Sequence, residues 1–209
     1  MDISSIIDPK NTALLVIDMQ NGFCHPEGSL ARGGSPYLHA WQIVPTVKQL
    51  VNVCRQNGVH VIWSLQKHFP DDITRKKHRI PSHLDRAGAI PCLNGTWDAE
   101  LVDELKLEVM PQDDLVEKHR SSCFHNTTLE VKLRMRGIST LIVSGVTTNY
   151  CVESTIRDAY ALDYDIVVVQ DCVACPWEDL QKATLKNVEI FFGQVVPLAG
   201  VQGLVVARQ

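Results

Sequence analysis

Asn11-Thr12-Ala13-Leu14-Leu15-Val16-Ile17-Asp18 places five consecutive apolar residues, 13 to 17, between polar ends. A run this short and unbroken predicts a strand buried on both faces, the kind found in parallel sheets covered by helices. The chain then turns polar at Asp18-Met19-Gln20-Asn21-Gly22 and enters a Gly/Pro-rich loop. Beyond it, Ile43, Val47, Leu50, Val51 and Cys54 fall at helical spacing, and Gly58 stands where a helix-ending glycine belongs. Val59-His60-Val61-Ile62-Trp63 is the second predicted strand.

The same alternation continues to the carboxyl end. Residues 65 to 97 are irregular, rich in Pro, Gly, His and charge, and a long irregular stretch in a compact chain suits a lid or substrate loop. A short helix is expected over Asp98–Lys106, and a third strand over Asp114–Glu117, running into Lys118. Thr127 followed by Glu130 matches a capping box, opening a helix that ends at Gly137. Ile138–Ser144 is the fourth strand and Gly145–Asn149 a tight turn. The following helix carries Val152, Ile156, Ala159 and Tyr160 on one face. Asp165–Gln170, a helix over Trp177–Val188 and a weak strand near Gln194–Pro197 complete the pattern. Strands alternating with helices predict an α/β fold. It is a three-layer, doubly wound sandwich with a mostly parallel sheet of about six strands, in one domain over residues 1–209.

Composition narrows the function classes. The 209 residues are 45% apolar and 21% charged, with a formal net charge of −4. Apart from Arg75-Lys76-Lys77-His78-Arg79, read as a solvated loop, no basic run offers a footprint for nucleic acid or a membrane surface. No signal-peptide pattern opens the chain, and no apolar stretch approaches bilayer length, so a cytoplasmic location is expected. Seven cysteines, an odd number in a chain large enough to need no staples, predict reduced thiols. Cys172 and Cys175 have redox-motif spacing without a thioredoxin pattern and are expected to be structural.

In sheets of this kind, sites form outside the carboxyl ends of the strands, which directs attention to Asp18, Gln66, Lys118, the 145–151 turn and Asp171. Cys151 follows a buried strand and a glycine-containing turn at the opening of a helix. The helix dipole and exposed N–H groups there would favour a thiolate and lower its proton affinity, and the same groups could hold an oxyanion. By position alone it reads equally as a small buried residue in a first helical turn. Asp18, a carboxylate ending a buried strand, is either a cap or a base that holds its proton tightly. Lys118 would keep a nearby thiolate and carboxylate in their charged forms.

Leu14-Leu15-Val16-Ile17-Asp18-Met19-Gln20-Asn21, then Lys118, then Ser144-Gly145-Val146-Thr147-Thr148-Asn149-Tyr150-Cys151-Val152 resemble the isochorismatase-like cysteine hydrolases, in order and spacing over nearly the whole chain. The resemblance implies Cys151 as nucleophile, Asp18 as general base and Lys118 as support for the ionised forms. It also implies a cis peptide at Val146–Thr147 and an oxyanion hole from the Thr147 and Cys151 amides. It implies homo-oligomers, and a small amide or ureide cleaved through a thioester without any cofactor.

Nicotinamidases of that family carry an Asp and a His, one residue apart, as part of a metal site after the second strand. Gln66-Lys67-His68 stands here, a poor divalent site, so no metal is expected. Isochorismatase-type vinyl-ether hydrolases typically lack the cysteine. The segments around Gly95–Glu104, Arg120–Thr127 and Cys151–Asp158 look most similar to ureidoacrylate amidohydrolases, whose substrate loop nevertheless has an Asn and a Trp near Gln66 and His68. Candidate substrate contacts are Phe23, Gln66, His68, Trp97, Ser122, Phe124 and Tyr150, with Phe124 and Tyr150 walling a planar substrate. The alternatives from other classes are a thiol-redox protein and a non-catalytic binding protein on the same fold. The first predicts cysteines without partnering Asp and Lys, and the second predicts loss of a triad member.

Overall fold

The structure, a computed structural model, describes residues 7–34, 38–70 and 90–201. Six strands form one sheet: β1 (Thr12–Ile17), β2 (His60–Gln66), β3 (Asp114–Lys118), β4 (Thr140–Val146), β5 (Asp165–Ala174) and β6 (Gln194–Val196). Their spatial order is β3-β2-β1-β4-β5-β6, and every neighbouring pair is parallel. The longer helices are α1 (Val44–Gln56), α2 (Leu129–Met135), α3 (Glu153–Ala161) and α4 (Glu178–Asn187).

The apolar run that opens the chain occupies the centre. β1 pairs with β2 on one side and β4 on the other, and all six of its residues are buried. Its side chains alternate between the two faces, as the pleat requires. Leu14 and Val16 join one core with Val47, Leu50 and Val51 of α1. Ala13, Leu15 and Ile17 join another with Leu129 and Leu133 of α2 and Ile156 of α3. Each fully buried Val, Leu or Ile stabilises the fold by roughly 1.5–3 kcal/mol, so this run is strongly held at the middle of three layers. The chain leaves β1 toward β2 and β3 on one side and returns to β4 on the other. The order therefore reverses between β1 and β4, which opens a crevice at their carboxyl ends.

Several local expectations differ from what is observed. The predicted helix over Asp98–Lys106 is two short pieces, a 3₁₀ turn at Trp97–Ala99 and a helical turn at Asp103–Lys106. Carbonyls that a continuous helix would use are spent elsewhere. The Asn21 amide takes the Trp97 oxygen at 2.9 Å and the Gln20 amide takes that of Ala99 at 2.7 Å. The capping box is only half made. The Thr127 hydroxyl accepts the Leu129 N–H at 3.1 Å, but Glu130 pairs with Arg134 one turn on. β5 runs to Ala174 rather than Gln170, because its register with β4 shifts between Val143 and Gly145. Cys172 thus lies within β5, not after it. Asp171 accepts the Leu198 N–H at 2.6 Å and fastens the carboxyl-terminal segment. The Arg75–Arg79 patch and most of the irregular 65–97 stretch lie outside the described residues. No described helix is long and apolar enough to cross a membrane.

Candidate active site

Three strand ends converge at the crevice. Asp18 leaves β1 in the left-handed backbone region, with φ 53°, a conformation that Asp tolerates better than most residues. Lys118 is the last residue of β3, and Cys151 lies in a wide helical turn, Thr148–Val152, between β4 and α3. The approach of β4 to β1 depends on Gly145. Its φ is 112°, and an added Cβ would stand 2.0 Å from the Ile17 carbonyl oxygen. The Val146–Thr147 peptide is cis, and the Thr147 carbonyl accepts from both the Tyr150 and Val152 amides.

Lys118 is the hub. Its Nζ is 2.6 Å from Asp18 Oδ2, 2.8 Å from Gln66 Oε1, 3.0 Å from the Arg120 carbonyl and 3.5 Å from Cys151 Sγ. Asp18 and Lys118 are 1% and 0% exposed, and Cys151 reaches 7%, so the sulfur is the member of the trio nearest to solvent. Burial pushes the Cys151 thiol well above its ordinary range. The Lys118 ammonium pulls the other way, and the Asp18 carboxylate adds to the rise. The direction is opposite to the lowered proton affinity expected from the helix end, because loss of water outweighs the pull of the Lys118 ammonium. Burial alone would lower the Lys118 ammonium, but Asp18 and Cys151 outweigh it and the group sits above its ordinary range. The resting trio is therefore a neutral thiol beside an Asp18–Lys118 ion pair.

Gln66 and His68 extend this network. The Gln66 side-chain nitrogen lies 3.0 Å from His68 Nε2, and His68 Nδ1 lies 2.5 Å from the Pro91 carbonyl. A carbonyl only accepts, so Nδ1 carries the proton, Nε2 accepts from Gln66, and the Gln66 oxygen is left to Lys118. Both residues are buried. The pair compared above with a metal-binding Asp and His is thus an internal amide–imidazole relay. Among the described residues no group of three or more His, Cys, Asp or Glu is arranged to hold a metal ion.

The other candidates scatter. Phe124 packs its ring against Tyr164 at 5.8 Å. Tyr164 precedes β5 at the amino end of the sheet, so Phe124 belongs to the core beneath α2 and α3 rather than to a substrate wall. Ser122 accepts the Phe124 N–H at 3.1 Å and lines an open depression of about 400 Å³ with Arg120, His125, Ser154 and Arg157, which includes neither Asp18 nor Cys151. Phe23 is half-buried against the α1-side core. Trp97 is exposed and meets His25 edge-on at 4.9 Å. Tyr150, beside Cys151, is 42% exposed. Cys175 contacts Asn149 Oδ1 at 2.9 Å, a packing role.

Two contributors escaped the sequence reading. Ser64, at 0% exposure within β2, donates to Asp18 Oδ1 at 2.7 Å. Gln20 clamps the end of β2, its Oε1 accepting the Gln66 N–H at 2.7 Å and its amide donating to the Gln66 carbonyl at 2.9 Å. The available signal was a lone hydroxyl in an otherwise buried strand and an amide two residues after Asp18.

Comparison with known proteins places this geometry in a lineage. The chain is 37% identical to the ureidoacrylate amidohydrolase RutB of Caulobacter segnis over 211 residues, covering 94% of this chain and 87% of that one. A crystal structure of a cysteine hydrolase from Pseudomonas syringae superposes with a TM-score of 0.83 at 28% identity, covering 97% and 95% of the two chains. The N-carbamoylsarcosine amidase of Thermoplasma acidophilum gives 0.74 at 29% identity, over 90% and 96%. The isochorismatase domain model matches residues 12–199, the span that holds all six strands and the Asp18–Lys118–Cys151 cluster, and the chain belongs to the isochorismatase family.

Proposed function

We propose that the protein is a cysteine-dependent amidohydrolase that cleaves a C–N bond of a small non-peptide amide or ureide, of the ureidoacrylate or carbamoyl type. The observation that carries this reading is the buried ammonium of Lys118, which lies 2.6 Å from the Asp18 carboxylate and 3.5 Å from the Cys151 sulfur. Moving the Cys151 proton to Asp18 converts a carboxylate–ammonium pair into a thiolate–ammonium pair. The net charge of the trio is zero before and after. No unpaired charge is created in a site that could not solvate one, and this lets a neutral thiol serve as a nucleophile.

The thiolate attacks the carbonyl carbon, with the Thr147 and Cys151 amides as the oxyanion donors. Asp18 returns the proton to the departing nitrogen, then takes one from the water that hydrolyses the thioester. Gln66, tied to Lys118 on one side and His68 on the other, is positioned to orient the substrate's polar end. The names of the relatives support a ureide or carbamoyl substrate. Assembly into homo-oligomers is what the family resemblance implies. Ammonia release from ureidoacrylate, biuret, N-carbamoyl amino acids, nicotinamide and maleamate, with Cys151→Ala as control, tests the proposal. Turnover of a ureide that vanishes in the variant is expected, and turnover that survives Cys151→Ala refutes the nucleophile.

A further inference from the structure

Buried hydroxyls anchor the trio from two sides, Ser64 at the Asp18 carboxylate and Thr155 at the Cys151 backbone. The Ser64 hydroxyl donates to Asp18 Oδ1 at 2.7 Å. Burial pushes the neighbouring Cys123 thiol up, while Ser64 and Thr155 pull it the other way. The Cys123 N–H then donates to Thr155 Oγ1 at 3.0 Å, and the Thr155 hydroxyl donates to the Cys151 carbonyl at 2.7 Å. Lys118 lies between Cys151 and Asp18 Oδ2. Ser64, Cys123 and Thr155 are all buried.

We propose that Ser64 is a positioning residue for the reaction, fixing which carboxylate oxygen of Asp18 acts as the base. With Oδ1 held by the hydroxyl, rotation of the carboxylate is opposed, and Oδ2 is the oxygen left for Lys118 and, in the proposed reaction, for the thiol proton. Lys118, 2.6 Å from Oδ2 of the same carboxylate and 3.5 Å from the Cys151 sulfur, registers base against nucleophile. Among the described residues, the other titratable groups that act on Asp18 are Lys118 from β3, Cys151, Cys123 and two further thiols. Cys24 follows β1, and Cys92 lies in the loop before Trp97. Burial raises all four thiols. Ser64 is therefore the neutral donor that balances Lys118 across the carboxylate.

This inference rests on the proposed catalytic roles, and the test is built to separate the two. Ser64→Ala removes little beyond the hydroxyl, and Ser64→Thr keeps it. Each variant is compared with wild type by kcat and KM against pH, and by the pH dependence of Cys151 alkylation with iodoacetamide, which needs no substrate. A hydrogen bond donated to a carboxylate favours its charged form, so deleting the donor makes Asp18 hold its proton to higher pH. In Ser64→Ala the acid limb of both profiles is expected to move up by about one pH unit, the scale of one hydrogen bond to a charged group. The expected fall in kcat is about 10- to 100-fold with KM little changed, and Ser64→Thr restores most of both. If no amide on the panel turns over but the alkylation profile still shifts in Ser64→Ala, the positioning role stands without the substrate assignment. Unshifted alkylation and rate profiles in a folded Ser64→Ala protein overturn the proposal, whatever substrate the enzyme takes.

Discussion

Replacing Lys118 by Met leaves the carboxylate of Asp18 buried at 1% exposure without the one counter-ion it has among the described residues. It also strips a donor from Gln66 Oε1, 2.8 Å away, and from the Arg120 carbonyl, 3.0 Å away. Gln66 can turn its amide, but the carbonyl is fixed. Breaking a buried ion pair from one side costs about 3–5 kcal/mol, mostly the penalty of an uncompensated charge. At roughly 2–4 °C per kcal/mol for a chain of this size, the melting temperature should fall by about 6–20 °C. Urea unfolding followed by circular dichroism at neutral pH measures the loss directly. Two further results follow from the same physics. The deficit should shrink on acidification, since a lone buried carboxylate takes up a proton in the folded state before the exposed one does in the unfolded chain. The double variant Asp18→Asn/Lys118→Met should be destabilised by less than the sum of the single changes, because it buries no charge. A Lys118→Met protein within about 1 kcal/mol of wild type, or strictly additive single variants, would refute the view that one tight buried pair organises the site.

Asp114 sits at the amino end of edge strand β3 among Lys132, His60 and Arg136 at 2.6, 2.8 and 2.9 Å. Burial alone would raise it, but these three donors outweigh that and hold the carboxyl well below the usual range. A depressed carboxyl adds stability above its unfolded value and loses it as pH falls toward the folded one. Asp114→Asn should therefore cost about 2 kcal/mol at neutral pH, with the gap to wild type closing below about pH 4 in urea titrations. Gly145→Ala puts a methyl 2.0 Å from the Ile17 carbonyl oxygen at a φ of 112°, and should yield insoluble or unfolded protein on expression. Gln66→Met removes both the acceptor for Lys118 and the donor to His68. The kcat/KM for the best ureide should drop by about 10-fold or more while the melting temperature moves by only a few degrees.

The strand pattern was legible because β1, β4 and β5 are apolar runs that admit no other placement, and the rule that sites form at strand ends brought forward Asp18, Lys118 and Cys151. Asp171 obeyed the same rule and proved structural, since a register shift between β4 and β5 carries it inside a longer strand. What escaped detection depends on contacts across long sequence separations. Ser64 reaches Asp18 over 46 residues and Cys123 reaches Thr155 over 32, and no local pattern announces either. Phe124 looked like a substrate wall because an aromatic beside a site loop reads the same way whether it faces the cleft or the core. The proton affinity of Cys151 was misjudged in sign for a related reason. Helix position is visible in a sequence, while the depth of burial that overrides it is not.

In the proposed reaction Cys151 carries the substrate's acyl group during turnover. Rapid mixing of the enzyme with its ureide, acid quenching and intact-mass measurement, followed by peptide mapping, tests it without any kinetic model. A mass increase equal to the acyl fragment, located on the peptide that contains Cys151, is expected. The adduct should be absent from Cys151→Ala and should accumulate where water attack is slowed, as in Asp18→Asn if any first-step activity survives. Full turnover with no adduct under conditions that trap thioesters, or an adduct on another cysteine, would contradict it.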